Sequence, residues 1–240
     1  MRIIHSINIM KAIFTKQAKD MLKNPMVLVM FIIFPAVAFF MKFFVPMPEN
    51  DYFDTNMFVT MMASIFAGMG LITAASDVIA EDIERRSLRF LIIAGVKPHQ
   101  YLIGTGGFFV LAGAITSVLF ALIGGFSGMD FVKFMAIMIP GVTTSIILGT
   151  VIGMVSKNRQ SATSLGMPVA VLVGFMPMMA IFNETVEKIA SVLYTQQINV
   201  IVNDFSAGLI RPLTVVALNI TVLVIVFIIT YKKKGLKDKS

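Results

Sequence analysis

The sequence predicts an all-α polytopic membrane protein with six transmembrane helices, and three observations lead there. Hydrophobic residues make up 57% of the chain and charged residues 14%, whereas a soluble domain carries about a quarter of its residues as Asp, Glu, Lys or Arg. Mean hydropathy is +0.87. Apolar runs recur at 26–45, 56–79, 101–127, 134–155, 162–182 and 213–231, each close to the roughly 20 residues a helix needs to cross the hydrocarbon core. A chain of 240 residues holds these spans as one domain, 1–240, without room for a catalytic domain beside them. The first run begins after residue 25 with no small-residue cleavage pattern behind it, so it reads as a retained helix and not a signal peptide.

The segment ahead of the first span, 1–24, is amphipathic. Ile3, Ile7, Met10, Phe14, Ala18 and Met21 recur at helical spacing, while His5, Asn8, Lys16, Lys19 and Lys23 gather on another face. This predicts an interfacial helix along the cytoplasmic leaflet, with its lysines near the anionic headgroups of membrane lipids. Asn24-Pro25 then turns the chain into span one, because proline disfavours the α conformation in the residue before it.

Orientation follows from the basic residues. Sixteen of the twenty Lys and Arg fall in the N-terminal segment, the 80–100 loop, the 156–161 loop and the tail 232–240, against Lys42, Lys133, Lys188 and Arg211 on the other side. The positive-inside rule places both termini in the cytoplasm of a plasma-membrane protein. The net charge of +7 is therefore a topology signal, and no nucleic-acid partner is implied. The absence of cysteine and the presence of two histidines exclude disulfides, thiol chemistry and Cys-based metal sites, and leave little for zinc.

The densest charge in the chain, "EDIERRSLRFL" at 81–91, lies on the cytoplasmic side between spans two and three. Glu81 and Arg85, and Asp82 and Arg86, are spaced i, i+4, and Asp82 and Arg85 i, i+3, which pairs the charges within one helix. Ile79, Ile83, Phe90 and Ala94 form another stripe, and "AGVKP" at 94–98 supplies the stop. The pattern predicts one short, rigid amphipathic helix, broken by a proline at Ser87. Its surface exceeds what a connector needs, since "SKNRQS" at 156–161 serves that purpose in six residues.

"EDIERRSLRFLIIAGVKPHQYLIG" at 81–104 resembles the cytoplasmic segment of ABC-2 type membrane permeases. There a Glu, an Arg, a small hydroxyl residue and a Leu precede an apolar run, a short turn and a return into the membrane. Glu81 or Glu84, Arg85 or Arg86, Ser87, Leu88 and Gly104 match, whereas Thr105 stands where the family often has Lys and Gly95 where many members have Pro. "GFMP" at 174–177 and the long connection to Pro212 are similar to the family's outer region of short re-entrant helices, without its second Pro or the Pro ahead of the tyrosine. The resemblance implies a half-transporter and an exporter. The N-terminal helix would be its elbow. The 80–98 segment would be a coupling helix docking onto a separate ATP-binding cassette subunit through Glu81, Asp82, Glu84, Arg85, Arg86, Ser87, Leu88 and Arg89. A second permease copy, identical or related, would complete the path. ATP and Mg would belong to the partner ATPase: "GTGGFF" at 104–109 lacks the spacing and lysine of a P-loop, so no cofactor is expected in this chain.

Asp77 is the only acidic residue near a span, which makes it a path or gate candidate with Gly174 and Pro177, or else part of the docking helix. Met-rich and Phe-rich spans suit a lipophilic drug, lipid or hydrophobic peptide. Sugar-polymer exporters of the family line their path with Tyr and Trp, and this chain has four Tyr and no Trp. G-x-x-x-G at 149–153 and at 124–128 permits close helix packing, without assigning an interface. "GFSG" at 125–128 also fits an intramembrane protease, but His5 and His99 lie on the opposite margin from Ser127, so the serine has no base. The remaining rival is an ATP-independent membrane protein, an immunity factor or a secondary carrier subunit, although no paired midplane charge is present to bind a coupling ion.

Overall fold

Proline opens two of the long helices, Pro25 in span one and Pro98 in span three, where its missing N–H costs no helical hydrogen bond. A computed structural model describes residues 2–45 and 56–237. Residues 238–240 of the basic tail, and the side chains of Arg2, Ile3 and His5 on the amphipathic segment, lie outside what is described. The described helices are α1 (Arg2–Leu22), α2 (Pro25–Phe44), α3 (Met57–Ile65), α4 (Leu71–Glu84), α5 (Ser87–Ile93), α6 (Pro98–Gly124), α7 (Gly128–Val155), α8 (Arg159–Ala180), α9 (Glu184–Ala190), α10 (Tyr194–Asn203) and α11 (Ile210–Lys237). Among the described residues six helical stretches are long and apolar enough to cross a membrane, in the expected order. Span four starts before its expected boundary because only Asp130 and Lys133 interrupt its first turns.

Span two is continuous from α3 to α4 through one π-helical turn, Phe66–Gly70. A π turn leaves carbonyls without their usual partners, and the Thr73 hydroxyl donates to Met69 O at 2.7 Å and Gly70 O at 3.0 Å. At this turn span two crosses span five backbone to backbone: a Cβ on Gly68 would lie 2.4 Å from Gly174 Cα. Farther down, Gly149 and Gly153 of α7 meet Ile72 O and Ser76 O of α4, where added Cβ atoms would sit at 2.5 Å and 2.7 Å. The G-x-x-x-G pair at 149–153 is thus a helix crossing. The pair at 124–128 is a turn between α6 and α7, with Gly125 and Gly128 at positive φ.

Spans two and four form the centre, and spans one and six turn apolar surface outward, as expected of lipid-facing helices. Phe66 of the π turn fills the middle between Phe31 and Phe120, with ring centroids at 5.9 Å and 5.7 Å. Between spans five and six lie two short helices, α9 and α10, where the resemblance implies short re-entrant helices. The second packs among α3, α7, α8 and α11: Ser145 Oγ donates to Tyr194 OH at 2.8 Å and Thr195 Oγ1 to Val173 O at 2.7 Å.

α1 also departs from the picture of a helix resting on lipid alone. Its apolar face lies on span three: Ile13 fills the space over Gly104, Phe14 meets Phe108 edge-on at 5.8 Å, and Gln100 Nε2 donates to Ser6 Oγ at 2.8 Å. Lys11, Lys16, Lys19 and Lys23 stay exposed, but the Lys16 ammonium reaches Asp82 at 2.6 Å.

Gly68→Ala should force spans two and five apart, because its clash is with backbone that cannot rotate away. A loss of about 1–3 kcal/mol is expected for such overpacking, read as a lower melting temperature of the purified protein in detergent, while Gly106→Ala, whose Cβ would meet Ile146 at an ordinary 3.5 Å, should be near neutral.

Candidate functional site

α4 ends where the dense charge begins, and the acidic run of 81–84 is the last turn of span two and not part of a separate rod. Arg85 caps α4, and Arg86 takes the left-handed conformation at φ 59°, ψ 11°, the only described non-glycine residue at positive φ. α5 starts afresh at Ser87. The expected single helix over 80–98 is therefore two helices with a sharp reversal between them, and the stripe through Ile79, Ile83, Phe90 and Ala94 is broken: Ile79 is buried, while Phe90 and Ala94 are exposed. Ser87 is the first residue of α5, a position that tolerates proline, so the expected helix break at Ser87 does not follow. Gly95, at φ 83°, ends α5 with Val96 N–H donating to Leu91 O and Gly95 N–H to Ile92 O, both at 3.0 Å, a left-handed cap that favours glycine. Proline, fixed at negative φ, could not take that place.

The pairing also differs from the expected one. Glu81 does meet Arg85, at 2.6 Å. Asp82 meets neither Arg85 nor Arg86. It points inward, only 7% exposed, and accepts from Lys16 Nζ at 2.6 Å, Ser87 Oγ at 2.6 Å and Tyr101 OH at 3.3 Å. Ser87 Oγ also lies 3.0 Å from the Asp82 carbonyl. One carboxylate thus joins α4 to α1, α5 and α6. Leu88 is buried beside Ile79, Val96 and Tyr101. Arg85, Arg86 and Arg89 are exposed with Phe90 and Ile93, the last two 69% and 70% exposed. The eight residues expected to couple therefore divide, with Asp82 and Leu88 holding α5 from behind and the arginines facing out.

Asp77 lies on the other side of α4. Arg159, the first residue of α8, grips it in a bidentate pair, Nε to Oδ1 at 2.8 Å and Nη2 to Oδ2 at 2.6 Å, and reaches Glu81 at 3.3 Å. The Arg159 backbone N–H donates to Glu84 at 3.3 Å. Span five is thus latched to span two at the basic end of the bundle, while Gly174, against Gly68, lies far along the same helix pair and Pro177 is buried in α8 one turn beyond it. Asp77, Gly174 and Pro177 do not converge. Sequence reasoning counted Arg159 as a topology charge and Lys16 as one of the headgroup-facing lysines. The available signal was Asp77 itself, since a carboxylate at a span end calls for a cation at the same end, and the short 156–161 loop offers one.

Span six is anchored to this end as well: Tyr231 OH donates to Val96 O at 2.9 Å and Lys234 Nζ to Met154 O at 3.0 Å. Among the described residues no group of three or more His, Asp or Glu side chains is arranged to hold a metal ion. The arrangement is a set of rigid ties between helix ends with one outward, cationic and apolar face.

A family model described as ABC-2 family transporter protein matches residues 42–231, which covers α3 to α10, most of α11 and the inward-facing and outward-facing parts of the 81–93 segment, and leaves out α1 and all but the last turn of α2. No curated protein matches the chain.

Asp82→Ala should strip three partners of their acceptor at once and cost about 2–4 kcal/mol, in the range for breaking a largely buried charged network. Asp82→Asn should cost less. For the latch, Arg159→Lys should recover little of what Arg159→Ala loses, because a lysine cannot make the bidentate pair with Asp77. Thermal unfolding of the purified variants measures both orders, and a fully stable Asp82→Ala would refute the hub.

Proposed function

The chain belongs to the ABC-2 transporter family, and on that premise we propose that it is the permease subunit of an ATP-driven exporter whose motor is a separate ATP-binding cassette subunit. The observation that carries this reading is the outward face of α5, where Arg86, Arg89, Phe90 and Ile93 are exposed on a helix fixed from behind by Leu88 and the Asp82 network. Exposed Phe and Ile flanked by arginines suit insertion into a groove on a protein partner. ATP and Mg belong to that partner. Closure of two ATPases would push α5, and α5 would pass the displacement to span two through Asp82 and to span three through Gly95 and Pro98. Arg159 would carry it on to span five. A difference in partner contact between the two states is what shifts the population of the permease.

A second permease copy, identical or related, completes the path in this reading. The basic end, with α1, α5 and the tail, faces the cytoplasm of the plasma membrane. The Met-rich and Phe-rich composition of the spans fits a lipophilic drug, lipid or hydrophobic peptide better than a polysaccharide.

The test is capture of the chain from its native cells in nanodiscs, with mass spectrometry for an ATP-binding subunit. Recovery is expected with the wild type and loss with Phe90→Asp combined with Ile93→Asp, both of which change exposed side chains and leave the six spans intact. An inserted, stable wild-type chain that brings down no ATPase would overturn the proposal.

A further inference from the structure

A cavity of about 460 Å³ lies at the basic end between the α1–α2 elbow and α4, within the range of small-ligand sites. Its cations are unequally committed. Lys16 and Arg159 are held by Asp82 and Asp77, each at 2.6 Å. Lys23, on the elbow wall, has no acidic partner among the described residues. Arg85, on the facing wall, gives one nitrogen to Glu81 at 2.6 Å, and on a side chain 74% exposed its other donors make no bond among the described residues. An ammonium and an arginine fork left open on facing walls are suited to an oxyanion, above all a phosphate, whose several acceptors can meet both.

The rim of the same cavity says what is attached to that oxyanion. Pro25 lines the cavity, and Val29, Ile32 and Ile33 follow it at i+4, i+7 and i+8 on span one. They are 50%, 63% and 46% exposed. An apolar stripe therefore climbs a membrane span from the edge of a cavity lined by four cations, Lys16, Lys23, Arg85 and Arg159, against three carboxylates, Asp20, Glu81 and Asp82. A soluble anion would use the cavity and leave the stripe bare, whereas an amphiphile uses both.

We propose that this cavity binds the phosphate headgroup of a glycerophospholipid, with Lys23 and Arg85 on the phosphate and an acyl chain along Pro25, Val29 and Ile33. The site needs no ATPase, so it can be tested independently of the exporter reading.

The full chain, purified in detergent, would be titrated with dioctanoyl phosphatidylglycerol and followed by native mass spectrometry. Saturable retention of the lipid is expected. Lys23→Glu with Arg85→Glu should weaken it at least about tenfold, the scale of one lost charge-assisted contact, and Lys23→Gln, which removes charge without reversing it, should weaken it less. Lys11→Glu, on α1 outside the cavity, should leave affinity unchanged. Both cavity residues are exposed, and the elution profile of each variant checks its fold. Equal binding of dioctanoylglycerol, which has no phosphate, would overturn the headgroup assignment. Equal binding of glycerol phosphate, which has no chains, would overturn the lipid in favour of a soluble anion. Unchanged affinity in the double variant would remove the site altogether.

Discussion

A carboxylate withdrawn from water is stable only with its acceptors filled, and Asp82 fills them from three other helices. α5 has seven residues, too few to hold a helical shape on propensity alone. It enters through a left-handed arginine and leaves through a left-handed glycine. The Ser87 hydroxyl on Asp82, Leu88 in the core and the cap at Gly95 supply the tertiary contacts it needs. The orientation of the outward face is therefore a consequence of one inward carboxylate.

The rest of the bundle is organised by how closely backbones approach span two. Gly149 and Gly153 bring span four against its lower half, and Gly174 brings span five against its π turn. Helices in lipid gain no hydrophobic driving force from each other, so close packing through small residues carries the association. A span gripped by backbone contact on two sides moves as a unit with its neighbours. The Arg159 latch adds a charged tie at the basic end of the same pair, and between latch and glycine crossing Gly166 of span five lies against Ser76 of span two, so the two spans are held along their length.

The six spans were legible because hydropathy averages over many residues and tolerates errors of phase. The local break at Arg86 was not. Glu, Arg and Leu are all good helix formers, and nothing in "IERRSLR" marks a left-handed residue, since only the tertiary demand that Ser87 and Leu88 face inward selects it. For the same reason the i, i+4 rule gave Glu81–Arg85 correctly and Asp82–Arg86 wrongly: the rule holds on one helix, and Arg86 is no longer on it. Lys16 looked equivalent to Lys19 and Lys23 on a helical wheel, because a wheel contains no span three to cover one side of α1. The G-x-x-x-G pairs make the same point. The pattern at 149–153 is a crossing and the pattern at 124–128 a turn, and the difference lies in the positive φ that Gly125 and Gly128 adopt.

The division of the 81–93 segment bears on how force could pass through it. A single helix from span two to the docking face would transmit motion through its own backbone hydrogen bonds, and side chains would matter little. With the backbone reversed at Arg86, the direct path from α5 to α4 is two residues of turn, and the stiff path runs through Ser87, Asp82, Lys16 and Tyr101. The groups that stabilise the fold at this end are then the same groups that would carry displacement. On the proposed reading a substitution there would alter coupling and stability together, whereas a change at Phe90 or Ile93, both exposed, would leave those ties in place. That separation follows from which way each side chain faces.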